Sequence, residues 1–138
     1  MFDDSTPQGR RAAERLTKEA IGWLTTVSPG GTPHTSPVWF LWQDGAALIY
    51  SLDDTARIRN LREHARVSLH LDGDGTGGDI VVIEGDASID RDTPPADRNA
   101  EYVSKYGWHM ESHGWTPEWF ASKYPVPIRI RATRARVW

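Results

Sequence analysis

The segment His34–Trp42 constrains the fold more than any other part of this chain. Val38, Phe40 and Trp42 fall on one face of an extended strand, and Trp39 and Leu41 on the other. A strand that is apolar on both sides has to be covered on both sides. It therefore belongs in a closed barrel or beneath other elements. Gln43-Asp44-Gly45 supplies hairpin chemistry, and Ala47–Leu52 returns antiparallel.

The rest of the chain can be read around this hairpin. Pro7–Glu19 has helical spacing, with Ala12, Leu16 and Ala20 on one side. Ala20–Val27 reads as a strand that ends at the turn Ser28-Pro29-Gly30-Gly31. Asp53, Asp54 and Thr55 are alternative caps for a helix running to His64, with Ile58, Leu61 and Ala65 as its buried stripe. Arg66–Leu71 alternates as a strand, Asp72–Gly78 is a glycine-aspartate loop, and Asp79–Ile89 is a long strand. Pro94 and Pro95 open a helix reaching Tyr106, and Thr116 caps a short one running to Lys123. Val126–Trp138 closes as a strand. The expectation is a mainly β fold, a six-stranded antiparallel barrel with short peripheral helices, formed by residues 1–138 as one domain.

Composition narrows the function. A chain of 138 residues buries roughly 70% of its unfolded surface, enough for a real core. The net charge of -3 argues against a general nucleic-acid binder. The absence of cysteine excludes disulfides and thiolate metal sites. The opening residues lack an apolar run of signal-peptide length, and no stretch reaches a membrane span, so a cytoplasmic protein is expected. Seven tryptophans are more than such a core needs, and Trp108, Trp115, Trp119 and Trp138 all fall late in the chain. Large aromatics grouped in this way line a pocket or interface, or fill a barrel and its lid.

Several residue groups bear on chemistry. Arg57, Arg59, Arg62 and Arg66 form a basic group, most simply a solvated face. Arg57 differs because it lies in a first helical turn, where a cation is unfavourable unless it holds an anion. Ser51 and Thr55 stand nearby, whereas Asp53 and Asp54 could neutralise the same charge. Pro37 cannot donate to a sheet ladder, so Thr35-Ser36-Pro37 belongs at an edge or a barrel corner. At an edge, free backbone groups could meet the polar rim of a flat ring. Gly73–Asp79 lacks the ending of a nucleotide loop. His109 and His113 have metal-ligand spacing but no third ligand, and with Trp108 and Trp115 they fit a pocket wall better. No G-x-S-x-G elbow is present. Without an activated nucleophile, redox chemistry carried by a cofactor is a natural reading.

The succession T-S-P-V-W-F, D-G, I-Y-S, D-T-A-R-I-R-N-L and R-V-S-L resembles the split β-barrel flavin proteins of the pyridoxamine 5'-phosphate oxidase-like superfamily. Within it the chain is most like the short actinobacterial enzymes that use the deazaflavin coenzyme F-420. The strand G-D-I-V-V-I-E-G-D-A and the closing P-I-R-I-R-A-T-R-A-R-V-W extend the likeness over nearly the whole chain. The resemblance implies cofactor contacts from Thr35, Ser36, Pro37, Val38 and Trp39, largely through backbone. It places Tyr50 and Ser51 beside a phosphate, makes Thr55 and Arg57 its ligands, and sets Arg59 and Asn60 next to them. Two departures matter. Ala56 stands where the oxidases proper have a second basic residue, and Thr35 where they have arginine. Pyridoxamine phosphate oxidation is therefore not expected.

The same resemblance implies a homodimer with a cofactor at the subunit interface and a small-molecule substrate. The expected activity is hydride transfer from reduced F-420 to an electron-poor acceptor. Alternatives on this fold are a flavin mononucleotide (FMN) enzyme, a non-catalytic cofactor carrier and a haem-binding protein.

Overall fold

The computed structural model describes residues 2–138. Helix α1 (Pro7–Lys18) starts at Thr6, whose hydroxyl accepts from the Gly9 amide, and turns Ala12 and Leu16 inward. The strands β1 (Ile21–Val27), β2 (Pro33–Trp39), β3 (Leu41–Gln43) and β4 (Ala46–Ser51) follow. Helix α2 (Ala56–Glu63) leads into β5 (Arg66–His70) and β6 (Val81–Ile89). A short 3₁₀ turn (Ala96–Arg98), α3 (Ala100–Ser112), α4 (Pro117–Lys123) and β7 (Val126–Val137) complete the chain.

The sheet order is β2-β1-β5-β6-β7-β4-β3, with every pair antiparallel. The class is the mainly β barrel expected, but with seven strands rather than six. The long strand expected over 34–42 breaks at Phe40. Ile21 pairs with Trp39 on one side of the break, and Leu41 pairs with Leu48 on the other. The first and last strands of the order are thus joined through one residue, and the sheet curls back on itself there. Tyr106 of α3 supplies what the missing ladder would have: its hydroxyl accepts from the Phe40 amide at 2.7 Å and lies 2.8 Å from the Phe40 carbonyl. Lys105 Nζ donates to the same carbonyl at 2.7 Å.

Both faces of this broken strand are covered, as its pattern requires. Val38 and Phe40 join Leu24, Ile49, Leu69, Ile83, Ile128 and Ile130 inside the barrel. Leu41 joins Tyr50, Tyr102, Tyr106, Met110 and Phe120 beneath α3 and α4, with Trp39 packed against them. At the β3–β4 hairpin, Asp44 and Gly45 take positive φ of 51° and 74°, the conformation a two-residue turn demands. A bulge between Glu84 and Gly85 sharpens the curl where β6 meets β7. A Cβ on Gly85 would stand 2.3 Å from the Arg131 carbonyl oxygen, so this crossing requires glycine.

Three local expectations are corrected. Helix α2 ends at Glu63, so Ala65 leaves the buried stripe and is exposed, while Asn60 is buried in its stead. Strand β6 begins at Val81, because Asp79 adopts φ of 56°. The helix expected from Pro94 to Tyr106 starts later, at the Asn99 cap, and continues through Gly107 to Ser112. Its buried stripe of Tyr102, Tyr106 and Met110 overrides the roughly 1 kcal/mol propensity cost of a mid-helix glycine.

Candidate functional site

The outer face of β2 and β4 meets α3 and α4 in an aromatic array. Trp39 stacks on Tyr106 (centroids 4.7 Å apart, planes at 5°) and on Phe120 (5.4 Å, 10°). Trp115 tilts against Trp39 and stacks on His113. Beside this array lies a cavity of about 610 Å³. Pro37, Val38 and Trp39 line it from β2, Ile49 and Tyr50 from β4, and His109, His113, Trp115, Phe120 and Tyr124 from the helical side. Because β2 pairs only with β1, its other edge carries free backbone N–H and C=O groups along the stretch that lines this cavity.

The cavity changes character at Arg57, which also lines a second notch of about 290 Å³ with Thr26, His34, Ser36, Leu52, Thr55 and Ala56, its hydroxyls and imidazole set beside the apolar Leu52. Thr55 is the helix cap, its hydroxyl accepting from the Ile58 amide at 3.3 Å, which sets Arg57 in the first turn of α2. The guanidinium donates to Ser36 Oγ at 2.7 Å and Ser51 Oγ at 3.3 Å. Its Nε is buried without a partner, and no carboxylate pairs with it among the described residues. Burial pulls this cation below its ordinary pKa. A desolvated cation with an unused donor is what an incoming anion would complete.

The other residues expected at the site are placed as follows. Ser36, Pro37, Val38, Trp39, Tyr50, Thr55 and Arg57 line one of the two cavities, and Ser51 stands behind Arg57. Thr35 instead pairs with Thr25, hydroxyl to hydroxyl at 2.7 Å, outside both cavities. Arg59 turns back to Asp54, reaching its carbonyl at 2.9 Å and its carboxylate at 3.2 Å. Asn60 is buried behind the notch, where its Nδ2 reaches Thr26 Oγ1 and His34 Nδ1, both at 3.0 Å. Tyr50 is anchored: its hydroxyl donates to the Pro94 carbonyl at 2.6 Å and accepts from Asn99, while burial raises its pKa.

Of the late aromatics, Trp115 lines the cavity, Trp108 and Trp119 are exposed, and Trp138 lies by α1 in a separate small cleft. His109 and His113 both reach the cavity wall. No group of three or more metal-ligating side chains occurs among the described residues. Sequence reasoning missed Phe120, Tyr124 and His34. The first two show only as apolar positions of a helix, and His34 only as one residue beyond a turn.

No helix among the described residues is long and apolar enough to cross a membrane. No curated protein matches the chain. Among solved structures, a conserved hypothetical protein of Mycobacterium tuberculosis is 26% identical with a TM-score of 0.73, covering 100% of this chain and 85% of its own. A protein described as an F420 reductase is 20% identical with a TM-score of 0.66, covering 89% and 94%. HutZ, described as a haem storage protein of Vibrio cholerae, is 16% identical with a TM-score of 0.67, covering 96% and 95%. The same curled sheet thus serves proteins described in quite different terms. Residues 9–138 match the family model described as "Pyridoxamine 5'-phosphate oxidase", and the chain belongs to that family.

Proposed function

We propose that the protein is an oxidoreductase that binds reduced coenzyme F-420 and promotes hydride transfer to an electron-poor organic acceptor. It would work in the cytoplasm as a homodimer, with each cofactor site at the subunit interface. One observation carries this reading: an aromatic cavity runs into a hydroxyl-bearing notch at a single cation, Arg57, that has no acid partner among the described residues. That is the shape and charge of a flat ring with an anionic tail. The fold likeness to the protein described as an F420 reductase supports it.

When bound, the coenzyme supplies a hydride from its central ring. The chain's own contribution is binding, orientation and dryness. The free edge of β2 at Pro37–Trp39 meets the polar rim of the ring through backbone groups. Arg57 and Ser36 hold the anion, and Thr55 fixes the helix that carries Arg57. Trp39, Trp115 and Phe120, which line the cavity, would exclude water and orient the acceptor beside the ring.

The test is a side-by-side fluorescence titration with F-420 and FMN, followed by acceptor-dependent oxidation of reduced F-420. Tighter FMN binding would transfer the reading to a flavin enzyme. Binding without turnover on any electron-poor acceptor would leave a carrier. Haem binding is a second reading, favoured by His109 and His113 on the cavity wall. A Soret band lost in His109→Ala or His113→Ala would establish it.

A further inference from the structure

His34 lines the notch, and a buried neighbour engages one side of its ring. Its Nδ1 lies 3.0 Å from Asn60 Nδ2, an amide nitrogen that can only donate. In this orientation Nδ1 accepts and Nε2 is left to donate. Asn60 is itself buried, and its Nδ2 also donates to Thr26 Oγ1 on β1. The His34 Nε2–H group has no protein partner among the described residues.

The charge inventory of the notch is short. Arg57 is its one cation, and no acid lines it among the described residues. Arg59 is occupied by Asp54, and Ala56 brings no charge. The remaining lining is three hydroxyls (Ser36, Thr55 and Thr26), the His34 imidazole and the apolar Leu52. The attraction of an anion to one cation grows in proportion to its charge. The cost of stripping its water grows as the square of that charge. A half-buried notch with a single positive charge and several neutral donors thus suits a singly charged oxyanion better than a doubly charged one.

We infer that His34 is a ligand-binding residue whose Nε2–H, together with Arg57, holds a singly charged phosphodiester, and that the notch disfavours a doubly charged phosphomonoester. Coenzyme F-420 carries a phosphodiester in its tail, whereas FMN ends in a phosphomonoester. The inference rests on the proposed site only in identifying that tail; the anion preference belongs to the notch itself.

The test uses the full chain, labelled with ¹⁵N, and two small probes: dimethyl phosphate and, at pH 8 where it is doubly charged, methyl phosphate. Dimethyl phosphate is expected to shift the His34 Nε2–H and Arg57 Nε–H resonances, and methyl phosphate to bind several-fold more weakly. His34→Ala should weaken dimethyl phosphate and F-420 binding by about tenfold, the loss of one hydrogen bond to a charged partner. His34→Gln, which restores an N–H donor, should recover most of it. Ala56→Lys should reverse the preference towards methyl phosphate. The exposed positions of His34 and Ala56 keep these variants folded. Unchanged binding in His34→Ala, or methyl phosphate binding as well as its diester, would overturn the inference. Should F-420 fail to bind while dimethyl phosphate still shifts His34, the proposed function falls and the notch assignment stands.

Discussion

The barrel interior and the flank beneath α3 and α4 are both buried, but they are built from different chemistry. The interior is aliphatic apart from Phe40, with Leu24, Ile49, Leu69, Ile83, Ile128 and Ile130 interdigitating across the curled sheet. The flank is aromatic and polar-tipped. Trp39 and Tyr102 bring rings, and Tyr50 and Tyr106 bring rings with hydrogen-bonded hydroxyls. An aliphatic core contributes only burial. An aromatic flank contributes burial, directed hydrogen bonds and a cavity wall at once. Stability and ligand choice are therefore separable inside the barrel and entangled outside it.

Four substitutions probe that contrast. Ile83→Ala, at a fully buried interior position, should cost about 2–5 kcal/mol in urea unfolding while leaving F-420 affinity unchanged. A parallel loss of affinity would show that the interior also shapes the site. Arg57→Met should do the opposite. Cofactor affinity should fall by about 1.5–3 kcal/mol, while the ligand-free protein should lose little stability, because relief of the cation's desolvation offsets its hydrogen bonds to Ser36 and Ser51. Unchanged affinity would mean the anion sits elsewhere.

Tyr106→Phe keeps the ring stack on Trp39 but strips the hydroxyl from the Phe40 amide and the Ala20 and Phe40 carbonyls. It should destabilise by about 1–3 kcal/mol and also weaken cofactor binding. A stability loss with intact binding would separate closure from cavity. The smallest effect is expected from Lys105→Met. Burial lowers the Lys105 pKa from 10.5 to about 8, with Glu19 opposing. Between these values the unfolded chain holds more protons than the folded one, so wild-type stability from this group rises with pH. Any advantage of Lys105→Met at pH 7 should shrink from pH 8 to pH 10.5, and denaturant midpoints across that range would show it. An advantage independent of pH would assign the effect to packing instead.

Much of the fold could be read from local pattern. The two-faced strand, the Asp44-Gly45 hairpin and the Thr116-Pro117 helix start each depend on residues close in sequence. What escaped depended on distant partners. Nothing near Phe40 announces a break, since the hydroxyl that ends the ladder arrives from Tyr106. Gly107 reads as a helix breaker until Tyr102, Tyr106 and Met110 are seen to share one packed stripe.

The candidate site divides along the same line. Arg57 stood out because a first-turn cation conflicts with the helix dipole. Thr55 stood out as a capping residue. Arg59 was expected beside the phosphate ligands, but it is drawn away by the carbonyl and carboxylate of Asp54, whose φ of 50° is a local backbone choice. His34 could not be identified as a donor until Asn60 showed which of its nitrogens is engaged.

Tyr106 is both rivet and panel: it fastens the point where the barrel joins and forms the backing of Trp39. A change that deepens the pocket on this side would also loosen the fastening. Divergence in what the protein accepts is therefore channelled to lining residues with no ring contact to Tyr106, such as Leu52 and His113.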